Sequence, residues 1–328
     1  MPVLTIAEAE DLVAEALMRC RTAPDNARIV ARALVAAEAE GLSGHGLSRV
    51  PTYAAQAKAG KVDGFAVPRA EQARPGVLAV DAAHGFAYPA LDLAVAGLPA
   101  LARAQGIAVA PVRRSHHCGA AGQPVERLAH AGLVAILFAN TPAAIAPWGG
   151  NRALFGTNPV AFAAPRANGA PIVVDLSLSK VARGNILAAK QRGEPIPEGW
   201  AFDAAGQPTT DPDAALAGTM APLGDAKGTA LALMVELLAA GLTGAVFAAD
   251  ASSFLDAKGP PPGTGQLLLA LDPAAFGGGI ERFEELAMAV EAQAGARLPG
   301  SRRLAARARA AAEGLTVSDA AIAAIRAL

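Results

Sequence analysis

The run IAVAPVRRSHHCGAAG, residues 107–122, decides how this chain is read. Ile107 to Val112 is a short apolar stretch of the kind that makes a buried strand. Ser115-His116-His117-Cys118-Gly119-Ala120-Ala121-Gly122 follows at its carboxyl end, where ligands settle in open α/β sheets. The small residues allow close approach to the backbone, and the helix expected near Pro124 to Ala131 offers its N-terminus to a phosphate. The glycines do not form G-x-G-x-x-G, and G-x-x-x-x-G-K-[ST] is missing from the whole chain. An α/β sheet that is neither an ordinary Rossmann fold nor a P-loop fold is therefore expected. Of the adjacent histidines only one is expected to face a site. His116, His117 and Cys118 are metal-ligand types without a second cluster at ligand spacing, so no metal is expected. Nothing in the sequence marks Cys118 as an activated thiol.

Working outward, α and β patterns alternate on both sides of this stretch. Upstream lie a helix from a Thr5/Glu8 capping box to Arg19 and a second, with Thr22 and Asp25 loosely repeating the box, from Pro24 to Ala39. A connector follows from Ala66 to Gly76, then a strand at Val77 to Val80 and a helix from Pro89 to Gln105. Downstream come strands at Leu133 to Ala139, Val160 to Ala164 and Ile172 to Leu176, the last two joined by a turn at Asn168-Gly169. Lys180 to Lys190 is a candidate helix, and Gln191 to Leu223 reads as a long irregular excursion. A helix from Lys227 to Leu242, a strand from Gly263 to Leu271 and helices at Ile280 to Ala294, Ser301 to Ala312 and Ser318 to Leu328 complete the chain. The expected parts are a helical segment 1–75, a β/α connecting part 76–115, a nucleotide-binding domain 116–275 and C-terminal helices 276–328 packing back on the first part.

Composition narrows the function classes. The chain has 328 residues, 53% hydrophobic and 4% aromatic, with net charge −1 and no long basic run. Neither nucleic acid nor an anionic membrane is an expected partner. No apolar stretch reaches the roughly 18 residues of a membrane span. Acids at Glu8, Glu10 and Asp11 rule against a signal peptide, and Cys20 and Cys118 give no disulfide framework. A cytoplasmic location is expected.

Other stretches carry candidate chemistry. In GLSGHGLSRVPTY, residues 41–53, Gly41, Gly44 and Gly46 interrupt a helical run. They leave His45, Arg49 and Tyr53 at spacings of four, with Arg49 and Tyr53 on one face if Leu47 onward is helical. An imidazole exchanges protons near neutral pH, and a guanidinium can grip a carboxylate through two parallel bonds. Together they suit a small acid that needs a proton; the competing reading is a helix corner with a surface arginine. Asn140-Thr141-Pro142, Trp148-Gly149-Gly150 and Phe155-Gly156-Thr157-Asn158-Pro159 form a second polar zone, suited to hold a small ligand or to make turns. Asp175 ends a strand and can bond a ribose hydroxyl or cap a helix. Lys227 opens an apolar helix, a poor place for a cation and a good one for a phosphate. Arg302-Arg303 is either a solvated face or a clamp for an extra phosphate.

In their order these pieces resemble the malate/L-lactate dehydrogenase-like family, which lacks a Rossmann fold. The resemblance covers nearly the whole chain. It rests on His45-Gly46…Arg49…Tyr53, Ser115-x-His117, Gly156-Thr157-Asn158-Pro159, Asp175…Ala182-Arg183-Gly184, Lys227-Gly228, Gly265-Gln266 and Asp272-Pro273. It implies an NAD(P)-binding mixed sheet, hydride transfer between NAD(P)H and a small 2-oxo or 2-imino acid, and homodimers with sites near the interface. By resemblance His45 is the proton donor, Arg49 the carboxylate clamp, and Tyr53, Thr157 and Arg183 further substrate contacts. His117, Cys118, Gly119, Ala120, Ala121, Asp175, Lys227 and Gly228 correspond to nucleotide contacts. In hydroxy-acid members the histidine matching His117 is the proton acceptor, so the acid/base role has two candidates. Three departures stand out: Gly44 replaces a serine that orients the imidazole, Asn185 replaces a lysine or an acid, and Asp225-Ala226 replaces glycine plus a bulky residue. The expectation drawn is reduction of Δ1-piperideine-2-carboxylate or Δ1-pyrroline-2-carboxylate, with a 2-hydroxy-acid dehydrogenase and an impaired ligand-binding homologue as alternatives. Arg302 and Arg303 point to NADPH, with NADH possible.

Overall fold

Thr5 starts the first helix as its spacing predicts: its hydroxyl accepts from Glu8 N, and the Glu8 carboxylate accepts from Thr5 N. The computed structural model describes residues 2–328. Strand β1 (Val3–Leu4) precedes helices α1 (Ile6–Arg19) and α2 (Pro24–Ala39). Thr22 and Asp25 do not repeat the capping box; Ala23 occupies the cap, and Pro24 starts α2 through its fixed φ. Two short 3-10 turns, Ser43–His45 and Leu47–Arg49, lead into α3 (Val50–Ala59).

The central layer follows: β2 (Arg69–Arg74), β3 (Val77–Asp81), α4 (Ala87–Gln105), β4 (Ile107–Ser115), α5 (Gly122–His130), β5 (Val134–Ala139), β6 (Val160–Ala164) and β7 (Ile172–Leu176). After α6 (Arg183–Arg192) come β8 (Ala201–Phe202), β9 (Pro208–Thr209), α7 (Pro212–Ala217), β10 (Thr219–Met220) and α8 (Ala226–Glu236). The chain ends with β11 (Thr264–Leu271), α9 (Ile280–Glu291), α10 (Ser301–Glu313), β12 (Leu315–Thr316) and α11 (Asp319–Arg326).

Seven strands form one mixed sheet in the order β2-β3-β4-β11-β5-β6-β7. Only β3 and β4 pair in parallel; the other neighbours are antiparallel. Because β11 lies antiparallel between β4 and β5, those two strands run the same way and end at the same edge. β7 also ends there, while β6 and β11 begin there. One sheet edge therefore collects residues 115–122, 140–141, 157–158, 175–179 and 264–266. The β4–β11 register shifts between Thr264 and Gln266 at this edge, where an irregular strand end re-aims neighbouring groups.

Two further sequence expectations are corrected. Ala66 to Gly76 is not merely a connector: Arg69–Arg74 is the edge strand β2, exposed along its length and so without apolar alternation. Gln191 to Leu223 is not wholly irregular, because it holds α7 and the three-stranded sheet β10-β8-β9, whose strands are two residues each. Two-residue strands carry no period to detect.

Among the described residues, buried apolar side chains gather in three clusters. One lies between the large sheet and α4 and α5, with Leu98, Val112, Leu128, Leu137 and Leu268 among its members. A second joins α1–α3 to the C-terminal Ala310, Leu315, Ile322 and Ile325. A third packs α6, α7 and α8 against Ile145, Phe155 and Leu178. Ion pairs tie the C-terminal helices down: Arg166 grips Glu284 and Glu291 of α9, and Arg303 and Arg307 of α10 share Glu40 and Glu126. No helix among the described residues is long and apolar enough to cross a membrane.

Candidate active site

The 3-10 turns after α2 exist because glycines at 41, 44 and 46 stop the helix, and they present His45 to the end of β4. Its ring stacks on that of His117, centroids 5.2 Å apart and planes 15° off parallel. His117 Nδ1 lies 2.6 Å from the Tyr53 hydroxyl, which is 3.2 Å from the Tyr88 hydroxyl. Tyr53, expected among the substrate contacts, is fully buried, so the structure places its hydroxyl on His117 rather than in an open cleft. Gly119 has φ +68°, and a Cβ there would lie 2.5 Å from the Tyr88 hydroxyl, so glycine is required. His116 turns to the other side, edge-on to Tyr53 and Phe86. Its carbonyl accepts from Gln266 Nε2 and Thr264 Oγ1 of β11.

This corner is dry and cationic, which sets its protonation. Burial, then Arg49, pushes His45 down to about 4. Burial with Lys61 and Arg49 pushes His116 down to about 3, and burial with Arg49, His45 and His116 carries His117 well below the usual imidazole range. All three rings are neutral at pH 7. Burial also lifts Tyr53 and Cys118 to about 12 each, so neither phenol nor thiol ionises. Several polar atoms here lack a protein partner: His45 Nδ1, both His116 ring nitrogens, Ser115 Oγ and Gln266 Oε1. Arg49 directs its Nε to Gly44 O, 2.7 Å away.

From His117 the site continues through Cys118 to Asp175, whose carboxylate accepts from Gly122 N at the start of α5, 2.7 Å away. Asp175 keeps part of its surface exposed, while protein atoms crowd around its carboxylate. That surrounding mass raises its carboxyl above the ordinary value, more than Gly122 N–H and Arg303 lower it. Gly300 lies against Val173 O, so α10 begins beside β7. Arg303 bonds Glu40 and Glu126 and leaves its Nη2 buried without a protein partner, while Arg302 is exposed.

The second polar zone is built differently. Glu236 is buried at the end of α8 and accepts from Asn140 Nδ2, Asn158 Nδ2 and Ala248 N. Asn140 Oδ1 accepts from Gly265 N and Asn158 Oδ1 from Thr141 N. Thr157 N donates to Thr141 Oγ1, and the two hydroxyls are 3.2 Å apart. Gly156 packs so closely that a Cβ would lie 2.2 Å from Thr141 O. Sequence reasoning singled out the asparagines but missed Glu236, which sits inside an apolar helix run; a lone acid at such a position is the signal. Lys227 is exposed in the first turn of α8, Gly228 packs on Leu223, and Arg183 donates from Nη2 to Leu216 O beside α7. Asn185 is exposed on α6. Among the described residues no group of three or more His, Cys, Asp or Glu is placed to hold a metal ion.

Comparison with known proteins adds identity to this geometry. Residues 4–326 match the sequence model of the malate/L-lactate dehydrogenase family. A (2R)-3-sulfolactate dehydrogenase (NADP(+)) of Chromohalobacter salexigens is 53% identical over 326 residues, 99% of this chain and 97% of that protein. A Δ1-pyrroline-2-carboxylate reductase of Ancylobacter novellus is 39% identical over 330 residues, 99% of this chain and 97% of its own. The crystal structure of Δ1-piperideine-2-carboxylate reductase from Pseudomonas syringae superposes with a TM-score of 0.94 at 38% identity, covering 100% of this chain and 99% of that one.

Proposed function

The chain belongs to the malate/L-lactate dehydrogenase family and is an NAD(P)-dependent oxidoreductase, and from that premise we propose that it interconverts a small 2-hydroxy acid and its 2-oxo acid, 3-sulfolactate first among them. The observation that carries this reading is 53% identity over nearly the whole chain to the sulfolactate enzyme, against 39% to the pyrroline-carboxylate reductase. The substrate's carboxylate pairs with Arg49, and C2 lies beside His45.

The residues present fit a nicotinamide nucleotide. Residues 119–122 form a turn of small side chains ahead of a helix N-terminus, and Asp175 waits beside Gly122 for a ribose hydroxyl. Lys227 and Gly228 at the start of α8 hold phosphates, and the unpartnered Arg303 Nη2 with Arg302 receives the extra phosphate of NADPH. When bound, the oxidised nicotinamide takes up a hydride from C2. The chain handles the proton. A neutral His45 accepts it from the C2 hydroxyl as the C2=O bond forms, and an imidazole that is neutral at pH 7 suits that direction. Arg49 depresses His45 in the free protein; a carboxylate on Arg49 offsets that charge, so substrate itself strengthens the base. His117, with its Nδ1 on Tyr53, stands behind His45 as the second proton group.

A second reading, reduction of a cyclic 2-imino acid, rests on the overlay with the piperideine-carboxylate reductase and on Asn185. One spectrophotometric panel separates the two. With NADP⁺ and NAD⁺ it offers 3-sulfolactate, malate and lactate; with NADPH and NADH it offers the two cyclic imines and 3-sulfopyruvate. Turnover of the sulfonated pair supports the first reading, and turnover of the imines alone replaces it with the second. A homodimer belongs to the same proposal. Its support is the apolar skin of α8 and the turn after it, where Leu231, Leu233, Met234, Leu237 and Leu242 are 37–67% exposed.

A further inference from the structure

Lys61 is among the largest fully buried side chains, and nothing in the proton or hydride chemistry above uses it. It stands just past α3, the helix that carries Tyr53, with its side chain 1% exposed. Its ammonium donates to three carbonyls: Ser253 O at 2.6 Å, Asp256 O at 3.1 Å and Lys258 O at 2.6 Å. An ammonium has three N–H groups and no acceptor, so the set is filled. The Asp256 carboxylate is 3.6 Å away and supplies the counter-charge. Gln56, fully buried on the same helix, donates from Nε2 to Asp256 O at 2.9 Å. All these acceptors lie in one irregular loop, residues 252–258, in which Leu255, Asp256 and Lys258 are exposed to solvent. Its buried member is Phe254, whose ring lies 5.1 Å from His116 and 5.2 Å from His117.

We infer that Lys61 is a positioning residue that seals the proton-handling corner: by gathering three loop carbonyls it holds Phe254 over the His116–His117 pair and keeps water out. Without the ammonium Ser253 O and Lys258 O lose their donor and Asp256 O keeps only Gln56, a combination that opens the loop rather than leaving it in place. The imidazoles then regain solvent. The groups facing them are His45 and Arg49 from the 3-10 turns, Tyr53 and Lys61 from α3 and its end, Tyr88 from α4, and neighbouring Cys118. Of these only Lys61 is removed, and the loss of its charge acts in the same direction as rehydration.

The inference rests on the oxidoreductase reading, and its test has arms that do not. In Lys61→Met, amide hydrogen exchange at residues 253–258 is expected to accelerate, and the NMR titration midpoints of His116 and His117 to rise toward 6.5. Turnover of the panel substrate should fall about 10²-fold in kcat/KM, the scale of a misplaced site wall. Phe254→Ala should reproduce the midpoint rise, and the double variant should be no worse than either single one, because both act through one contact. Gln56→Leu, which keeps the ammonium, should give a smaller change of the same sign should Lys61→Met fail to fold. Unchanged loop exchange with unchanged histidine midpoints in the folded variant overturns the inference, as do losses from the two substitutions that multiply. A wild-type protein silent on every panel substrate would count against the function, while the exchange and titration arms would still decide the role of Lys61.

Discussion

Two regions meet at the start of β11 and treat their polar atoms in opposite ways. Around His45, His116 and His117 the side chains are aromatic and dry, and His45 Nδ1, both His116 nitrogens, Ser115 Oγ and Gln266 Oε1 have no protein partner. Around Glu236 the buried amides of Asn140 and Asn158 are bonded to Glu236, Val246 O, Ala232 O, Gly265 N and Thr141 N. Leaving buried polar atoms unpaired costs stability, so folds retain such atoms where something else is gained. On the proposed function, the contrast separates the corner that takes the ligand and the proton from a frame that fixes α8 against the sheet. In His45→Ala kcat should fall by roughly 10²–10⁴, the usual share of a proton-transfer group, with the melting temperature nearly unchanged. Glu236→Ala should do the reverse. It leaves one N–H of each carboxamide and Ala248 N–H without a partner, and denaturant unfolding should show a loss of about 3–5 kcal/mol. A large stability loss in His45→Ala with a mild one in Glu236→Ala would erase the division.

The division also has a pH signature. The imidazoles of the dry corner have folded-state pKa values below 6.5, His45 near 4 and His116 near 3. Above about pH 6.5 they are neutral folded or unfolded and contribute no pH dependence. Between about 6.5 and 4 the unfolded chain binds protons that the folded one refuses, so stability falls as pH falls, by up to about 1.4 kcal/mol per pH unit for each imidazole. Chemical denaturation at pH 7, 6 and 5 checks this. The slope should shrink in His45→Ala and stay as it was in Asn140→Ala, which belongs to the frame. Equal slopes in all three proteins would mean that the histidines are not held neutral by the fold.

How much of this the sequence shows follows from the same physics. Long amphipathic helices, the Thr5 capping box and the buried strands from Ile107 onward are legible because burial imposes a period, and the edge strand Arg69–Arg74 is not because it buries nothing. His45, Arg49 and His117 are legible as proton and charge groups at backbone breaks. The stacking of His45 on His117 and the bond from Tyr53 are not, since they join residues 72 and 64 positions apart through sheet topology. Glu236 and Lys61 look like ordinary helix and surface residues on paper; their burial is decided by what packs over them. Arg302-Arg303 reads either as a solvated face or as a phosphate clamp, yet Arg303 spends its Nη1 on Glu40 and Glu126 and keeps its Nη2 buried without a protein partner.

The smallest expected effect sits at Gly44, where related proteins by resemblance carry a serine that orients the imidazole. Nothing lies within 4 Å of a Cβ built there, so a serine enters without a clash. The neighbouring His45 Nδ1 is buried and without a partner, and the turn's own bonds, Arg49 Nε to Gly44 O and Ser48 Oγ to Ser43 O, do not involve the position's side chain. A hydroxyl at 44 would adjoin that nitrogen in sequence, and a bond between them would favour one orientation of the ring. Gly44→Ser should raise stability by about 0.5–1 kcal/mol, from the new bond and from the freedom that glycine loses in the unfolded chain. It should also change the acid limb of the kcat/KM profile, because a bond to one tautomer alters His45 without touching Arg49 or the nucleotide site. Gly44→Ala divides the two causes. It keeps the backbone gain and lacks the hydroxyl, so an alanine variant that matched the serine one in both stability and pH profile would show that the empty Nδ1 is not the feature that the serine serves.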